Sequence, residues 1–295
     1  MILPWRLRPV RDTGGFLSPA ARNVAREQGV DDRALTGRGS GGRVTRADVL
    51  EAAAGTKENT KENTRDDIVP FGTVRKRTAV GLLASKRTNA HALAVAAADY
   101  SAIEAGRRDR RVDRAGERIT ALPFVARAVI DALREFPLMN ATTNDDGASV
   151  VTHRAVHLGI AVDLDFQGLV VPVVRGADGL RLRTLAAAIR DVAARARARK
   201  LGPDDLAGGT FTITNPGASG TWISYPVINR PQVGILATDG VSKQVVVDDR
   251  GGLGIAPIGH LCCAFDHRSV DGAYAAAFVG RVREIVETRD WATEL

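Results

Sequence analysis

The sequence predicts an α/β protein preceded by a small all-helical domain. Residues 16–52 have the pattern of two short helices around a glycine-rich loop, and residues 55–67 contain no apolar side chain that could pack. From residue 68 onward, helical and strand periodicities alternate, which is typical of a mixed sheet with helices around one core. We therefore expect four segments. They are an N-terminal tail (1–15), a helical domain (16–52), a flexible linker (53–67) and an α/β domain (68–295).

The helical domain has clear start signals for both helices. Ser18 and Pro19 suit the N-cap and first turn of one helix, and Thr45 suits the N-cap of the next with Asp48 in the capping-box position. Glycines dominate the loop 36–43 between them. A glycine-rich loop can bind phosphate, but no strand precedes this one, which argues against a P-loop or dinucleotide site.

The α/β domain alternates helix and strand patterns along its length. The helices are predicted at 74–87, 122–134, 182–199 and 273–287. The strands are predicted at 90–99, 156–163, 169–174, 210–214, 233–237 and 260–265.

Composition excludes several functional classes. The net charge is +7, but the 41 basic residues are scattered among 34 acidic ones and aromatics make up only 5%, so nucleic-acid binding is not expected. No apolar run approaches the ~18 residues of a membrane span, and the N-terminus lacks the pattern of a signal peptide. The two cysteines, Cys262 and Cys263, are adjacent and predict neither a disulfide framework nor a zinc site. We expect a cytoplasmic protein without a membrane partner.

The most informative motif is Phe-Asp-His-Arg-Ser-Val-Asp-Gly at 265–272. His267 follows a strand-like run and precedes a helical one, and Asp271 lies four residues after it. A histidine at a strand end is well suited to act as a general base, because its pKa lies near neutral pH.

Residues 69–290 resemble the catalytic domain of the dihydrolipoamide acyltransferases of 2-oxo acid dehydrogenase complexes, and chloramphenicol acetyltransferases share a related histidine motif. The resemblance implies a chloramphenicol acetyltransferase-like mixed-sheet sandwich. Besides the histidine motif, the matching segments are 69–71, 85–88, 133–137, 157–163, 168–174, 208–217 and 226–232.

The resemblance also implies roles for individual residues. His267 would be the general base, and the hydroxyl of Thr214 would stabilise the oxyanion of the tetrahedral intermediate. Asp271 would hold the active-site loop by an ion pair, with Arg75 as its partner. A coenzyme A thioester would be the co-substrate. The family's active-site channel lies between neighbouring subunits, which implies a homotrimer.

Residues 16–52 resemble the peripheral subunit-binding domain of the same acyltransferases. In that family, arginines at the positions of Arg22, Arg26 and Arg43 form ion pairs with dehydrogenase partners. The resemblance therefore implies a dehydrogenase subunit as a partner of this segment.

The remaining histidines are weaker candidates, and His91 is expected to have a structural role. None of them has metal-ligand spacing with another His, Asp or Glu, so we expect no metal site. These residues are His91, His153, His157 and His260.

Two functional hypotheses remain. None of the six lysines lies in the Asp-Lys-Ala hairpin of a lipoyl domain, so no lipoyl lysine is expected in this chain. That favours a free-standing enzyme that moves an acyl group, in the first place acetyl, from acyl-CoA to the hydroxyl of a small-molecule acceptor. Lipoyl-less relatives of this kind act as O-acetyltransferases in tetronate polyketide pathways of specialised metabolism. The alternative is a dihydrolipoamide acyltransferase core component that uses a lipoyl domain supplied in trans, and the three arginines favour it. A non-enzymatic scaffold has little support.

Overall fold

The computed structural model describes residues 17–31, 35–59, 67–108, 119–144, 146–247 and 250–295. The chain forms two compact units, Met1–Pro70 and Phe71–Leu295. The predicted tail 1–15 lies outside the described residues, and the four predicted domain boundaries stay predictions.

The first unit is built on two helices, α1 (Pro19–Gln28) and α2 (Arg46–Asn59). The predicted caps are confirmed. Ser18 Oγ accepts a hydrogen bond from the backbone N–H of Ala21 at 3.2 Å. Asp48 accepts one from Thr45 N–H at 2.8 Å, and Thr45 Oγ1 accepts one from Asp48 N–H at 3.4 Å. Five buried side chains form the small core between the helices: Ala21, Ala25, Leu35, Val44 and Val49.

The second helix extends further than predicted. It continues to Asn59, into the segment that the sequence assigns to the linker. The alanines at 52–54 and the following Lys-Glu pair are good helix formers, and they lengthen the helix beyond the last core residue. Residues 60–66 lie outside the described residues.

The backbone conformation of the loop between these helices explains why glycines occupy it. A Cβ at Gly37 would lie 2.4 Å from the carbonyl carbon of Arg43, and Gly41 and Gly42 have φ angles of +74° and +77°. Close approach and positive φ both favour glycine. The loop therefore needs its glycines to fold, independently of any ligand.

The second unit is a mixed sheet with helices packed on it. The helices are α3 (Thr73–Thr88), α4 (Ser101–Arg108), α5 (Leu122–Glu135), α6 (Leu182–Arg197), α7 (Pro203–Leu206) and α8 (Gly272–Thr288). The strands are β1 (His91–Asp99), β2 (Ala141–Thr143), β3 (Val150–Thr152), β4 (Leu158–Ile160), β5 (Val162–Asp163), β6 (Leu169–Val170), β7 (Val173–Val174), β8 (Phe211–Thr214), β9 (Gly234–Thr238), β10 (Ser242–Val247) and β11 (Leu253–Asp266).

The main sheet has the order β1-β11-β9-β8-β4-β7, with β10 paired to the first half of β11. Strands β4, β8 and β9 are mutually parallel, whereas β11 runs antiparallel to both β1 and β9. Two small two-stranded sheets, β2–β3 and β5–β6, lie beside it. The predicted α/β class is confirmed.

Helices α5, α6 and α8 supply most of the helical side of the core, and α5 is buried along nearly its whole length. Phe124 and Trp291 meet edge to face with ring centroids 5.3 Å apart, and Phe211 and Phe278 do so at 5.8 Å. Cys262 and Cys263 are buried thiols in β11, as their apolar surroundings in the sequence suggest. Strand β11 lies between β1 and β9 in the main sheet, with its second half buried.

The long strand β11 differs from the prediction. Only residues 260–265 carry a continuous apolar signal, whereas the strand begins at Leu253. Its first half pairs with β10 in a hairpin and exposes Leu253 and Ile255. This half forms a strand through its pairing with β10, which the local sequence pattern does not indicate. The prediction also missed helix α4, and it joined β4 and β5 into one strand although they lie in different sheets.

Among the helices of the described residues, none combines the length and the hydropathy that crossing a membrane requires.

The stability of the first unit should depend on the charge of Asp48. Hydrogen bonds from Thr45, followed by those from Arg38, lower the pKa of Asp48 from 3.8 to about 2. Because the folded pKa lies below the unfolded value, this stabilisation is complete above about pH 4 and is lost as the pH falls toward about 2. Protection factors of the α2 amides in the whole chain should fall over that range, and Asp48→Asn should lower them at neutral pH.

The matched control is Glu27→Gln, which removes an exposed carboxylate from α1. An Asp48→Asn variant with the wild-type pH dependence would show that the capping box contributes nothing.

Candidate active site

The turn after β11 holds His267. The backbone N–H of His267 donates to Ala90 O at 2.8 Å, and the side chain is exposed. Its ring centroid is 5.5 Å from that of Phe265, and its Nε2 is 3.9 Å from the position that a Cβ on Gly272 would occupy. The imidazole therefore lies next to the start of α8 with access to solvent.

A buried carboxylate beneath this turn holds its shape. Asp266 accepts from Ala90 N–H and Arg268 N–H, both at 3.1 Å, and from Arg268 Nη2 at 2.6 Å. Burial alone would raise the pKa of Asp266, but the Arg268 guanidinium and the backbone donors hold it below its ordinary value. Asp266 is thus a charged anchor for the segment that carries His267. Sequence reasoning missed its role, although the Asp-His-Arg order was visible.

The ion pair predicted for Asp271 stays a prediction. Asp271 is exposed at the N-cap position of α8, and its side chain makes no capping hydrogen bond. Among the described residues, no ion pair joins it to Arg75, which is exposed on α3. Within one chain, the ion pair at this turn is formed by Asp266 and Arg268.

Thr214 is the last residue of β8 and is half-buried. It lies beside Ala237 of β9, which in turn lies beside Cys262 of β11. His267 is five residues after Cys262, just beyond the end of β11 and at the opposite edge of the sheet from Thr214. With ~3.3 Å per residue and ~4.8 Å between strands, the two side chains are on the order of 20 Å apart. A single chain does not bring the predicted base and the predicted oxyanion donor together.

The turn with His267 borders two crevices. One, of about 380 Å³, is mainly apolar and lies between β1 and α8, with Phe265 and Gly272 in its wall. The other, of about 270 Å³, is polar and contains Arg268. The neighbours of His267 thus line both crevices, although His267 itself lines neither.

The other histidines have structural surroundings. The backbone N–H of Ile228 donates to His91 Nε2 at 3.1 Å, so His91 Nδ1 carries the proton and donates to Asn89 O at 3.2 Å. Burial lowers the pKa of His91, which favours this neutral form. His157 Nδ1 accepts from Gly176 N–H at 3.0 Å. Within the ranges that the structure describes, no group of three His, Cys, Asp or Glu side chains could hold a metal ion.

The three arginines predicted to bind a partner are exposed on the first unit. Arg22 and Arg26 lie one turn apart on α1, and Arg43 immediately precedes the buried Val44. Sequence reasoning did not single out Arg38, which forms ion pairs with Asp48 and Glu51 and ties the loop to α2.

Two family models match the chain. The 2-oxoacid dehydrogenases acyltransferase (catalytic domain) matches residues 63–293, and the e3 binding domain matches residues 15–50. The histidine turn and Thr214 lie in the first match, and the exposed arginines lie in the second.

Curated relatives agree with these matches. The chain is 34% identical over 309 residues to the dihydrolipoyllysine-residue acetyltransferase component of the pyruvate dehydrogenase complex of Mycobacterium tuberculosis, covering 95% of this chain and 56% of that protein. It is 36% identical over 279 residues to the lipoamide acyltransferase component of the branched-chain alpha-keto acid dehydrogenase complex of Pseudomonas putida, covering 92% and 66%. The chain spans about half the length of the acetyltransferase relatives.

Solved structures show the same fold. The cubic core of the pyruvate dehydrogenase multienzyme complex matches with a TM-score of 0.73 and 32% identity, over 78% of this chain and 94% of that one. A probable dihydrolipoamide acetyltransferase from Listeria monocytogenes matches with a TM-score of 0.68 and 29% identity, over 75% and 94%. The chain therefore belongs to the 2-oxoacid dehydrogenase acyltransferase family and carries an e3 binding domain ahead of its catalytic domain.

Proposed function

We propose that this chain is a dihydrolipoamide acyltransferase, moving an acyl group between a dihydrolipoamide thiol and coenzyme A. The observation that carries the proposal is the exposed His267 on a turn anchored by the buried carboxylate of Asp266, within a domain of this family. The named relatives are components of 2-oxo acid dehydrogenase complexes. They support the alternative sequence hypothesis, whereas the favoured one, transfer from acyl-CoA to a small-molecule hydroxyl, gains no support from them.

The chemistry follows from the residue types. His267 takes the proton of the attacking thiol as its sulfur bonds to the thioester carbonyl carbon. The carbonyl oxygen becomes an oxyanion, and the Thr214 hydroxyl donates a hydrogen bond to it. One such donor lowers the activation barrier by roughly 3 kcal/mol. When the intermediate collapses, the second sulfur leaves and receives the proton from His267. Asp271, at the start of α8, stays a proposed site residue that holds the active-site loop.

The separation of His267 from Thr214 supports a homotrimer. If each active site takes His267 from one chain and Thr214 from its neighbour, the two residues can meet at the interface although they lie far apart within one chain. The β10–β11 hairpin exposes apolar side chains on its surface, which is typical of a surface that another protein covers. They are Val245, Val247, Leu253 and Ile255.

The acceptor can be tested directly. With acetyl-CoA as donor, the purified chain should acylate free dihydrolipoamide, and His267→Ala should lower that rate by at least ~10²-fold with folding intact. Steady-state thiol-ester formation measures the rate, and circular dichroism checks the fold. The control is His157→Gln, since His157 has a structural hydrogen bond elsewhere in the domain. Efficient transfer to a hydroxyl acceptor, without transfer to dihydrolipoamide, would support the free-standing enzyme instead.

The two-chain site predicts complementation between inactive variants. His267→Ala and Thr214→Ala chains, co-expressed with different tags and purified as mixed oligomers, should recover about a quarter of the wild-type activity, because about one site in four combines two intact residues. Light scattering should give the mass of three chains.

Co-expressed His267→Ala and His267→Asn chains are the control, since no site in that mixture has the histidine. No recovery in the first mixture, or a fully active monomer, would contradict the shared site.

The first unit should bind a dehydrogenase subunit through its arginines. Arg43→Ala should weaken that binding at least tenfold, because charge-paired interface arginines are frequent hot spots. Arg22→Ala and Arg26→Ala should weaken it as well. Calorimetry with the whole chain and a purified dihydrolipoamide dehydrogenase measures the affinity. Arg77→Ala, which changes an exposed arginine on α3, is the control, and equal affinity for all four variants would contradict the assignment.

A further inference from the structure

The segment that follows Thr214 is tied to the neighbouring strand by one buried carboxylate. Asp239 is only 3% exposed. Its Oδ1 accepts from Thr221 Oγ1 at 2.7 Å and from Ser224 Oγ at 2.6 Å, and its Oδ2 accepts from Ser224 N–H at 3.1 Å. Three donors from one loop thus converge on one side chain, and hydrogen bonds to a charged acceptor are the stronger kind.

The backbone of the same loop lies directly against this strand end. Gly240 N–H donates to Thr221 O at 2.8 Å. A Cβ at Gly217 would lie 2.6 Å from the carbonyl carbon of Asp239, so the turn Pro216–Ser219 lies in tight contact with the residue that anchors it. These contacts fix the position of the loop relative to the end of β9.

The sheet topology brings this anchor close to the proposed oxyanion donor. Strands β8 and β9 are parallel, and Thr214 lies beside Ala237, two residues before Asp239. The loop from 215 to 225 leaves β8 at Thr214 and folds back over the end of β9. Its polar groups turn inward to Asp239, while Trp222, Ile223 and Tyr225 are exposed.

We propose that Asp239 is a positioning residue for acyl transfer, holding the 215–225 loop and through it the hydroxyl of Thr214. This inference rests on the proposed function, in which Thr214 donates to the oxyanion. Placement matters because a misplacement of about 1 Å at a reacting centre can lower a rate by ~10²-fold.

The chemistry of the anchor requires a carboxylate. Asparagine has one oxygen, so its amide group would face either Ser224 N–H, which can only donate, or the two hydroxyls that now donate to Oδ1. In the first orientation the hydrogen bond from Ser224 N–H is lost, and in the second both hydroxyls must reverse and accept from the amide. In either orientation the stronger hydrogen bonds to a charged acceptor are lost. Asp239→Asn therefore loosens the loop with almost no change in volume.

The test is a double-mutant cycle on the whole chain, with acetyl-CoA and dihydrolipoamide as substrates. Asp239→Asn should lower kcat by ~10- to 100-fold and leave the KM for both substrates nearly unchanged, since positioning acts on the transition state. In a Thr214→Ala background the same change should lower kcat no further, because the hydroxyl that Asp239 positions is gone. Asp131→Asn, which breaks ion pairs with Arg127 and Arg289, is the control and should lower the Tm without changing kcat.

If Asp239→Asn does not fold, two substitutions of Thr221 test the same anchor. Thr221→Ser keeps the hydroxyl that donates to Asp239 and should retain kcat, whereas Thr221→Val removes it and should lower kcat. Equal kcat for these two variants would overturn the inference, as would equal effects of Asp239→Asn in both backgrounds. If Thr214→Ala alone leaves kcat unchanged, Thr214 does not stabilise the oxyanion, and the positioning role of Asp239 fails with it. If Thr214→Ala lowers kcat but the Asp239 and Thr221 variants do not, only the positioning role fails.

Discussion

The ion pair between Asp266 and Arg268 is the interaction on which the proposed site depends. Asp266 is fully buried at the end of β11, and its charge would be costly there without the guanidinium of Arg268 and the backbone N–H groups of Ala90 and Arg268. The same contacts join β11 to the segment before β1, so the position of His267 follows from the pairing of these strands. His267 is thus exposed on a turn whose anchoring residue, Asp266, is buried.

Sheet register imposes the second constraint. Because β11 runs antiparallel to β9 and β9 runs parallel to β8, the end of β11 and the end of β8 point to opposite edges of the sheet. No adjustment of side-chain rotamers brings His267 to Thr214 across that distance. The proposed chemistry is therefore a property of an assembly, and the exposed apolar hairpin of β10 and β11 is consistent with one.

Buried carboxylates recur as anchors of loops in both units. Asp48 binds the N-terminal turn of α2, Asp266 binds the histidine turn, and Asp239 binds the loop after Thr214. Each accepts at least one backbone N–H, so each satisfies a donor that would otherwise lose its hydrogen bond on burial. In each case one short acidic side chain holds the path of a loop or turn through several hydrogen bonds.

The sequence by itself determined the α/β class, the two capped helices of the first unit and the strand-to-helix position of His267, because these depend on local periodicity and on capping residues near one another in the chain. It also identified the family through ordered motifs. Only the tertiary structure decided that Asp266 pairs with Arg268 to hold the turn, that β11 extends back to Leu253, and that Asp239 anchors the loop after Thr214. These features depend on contacts between residues far apart in the sequence or on which side chain is buried, and local patterns contain no information about either.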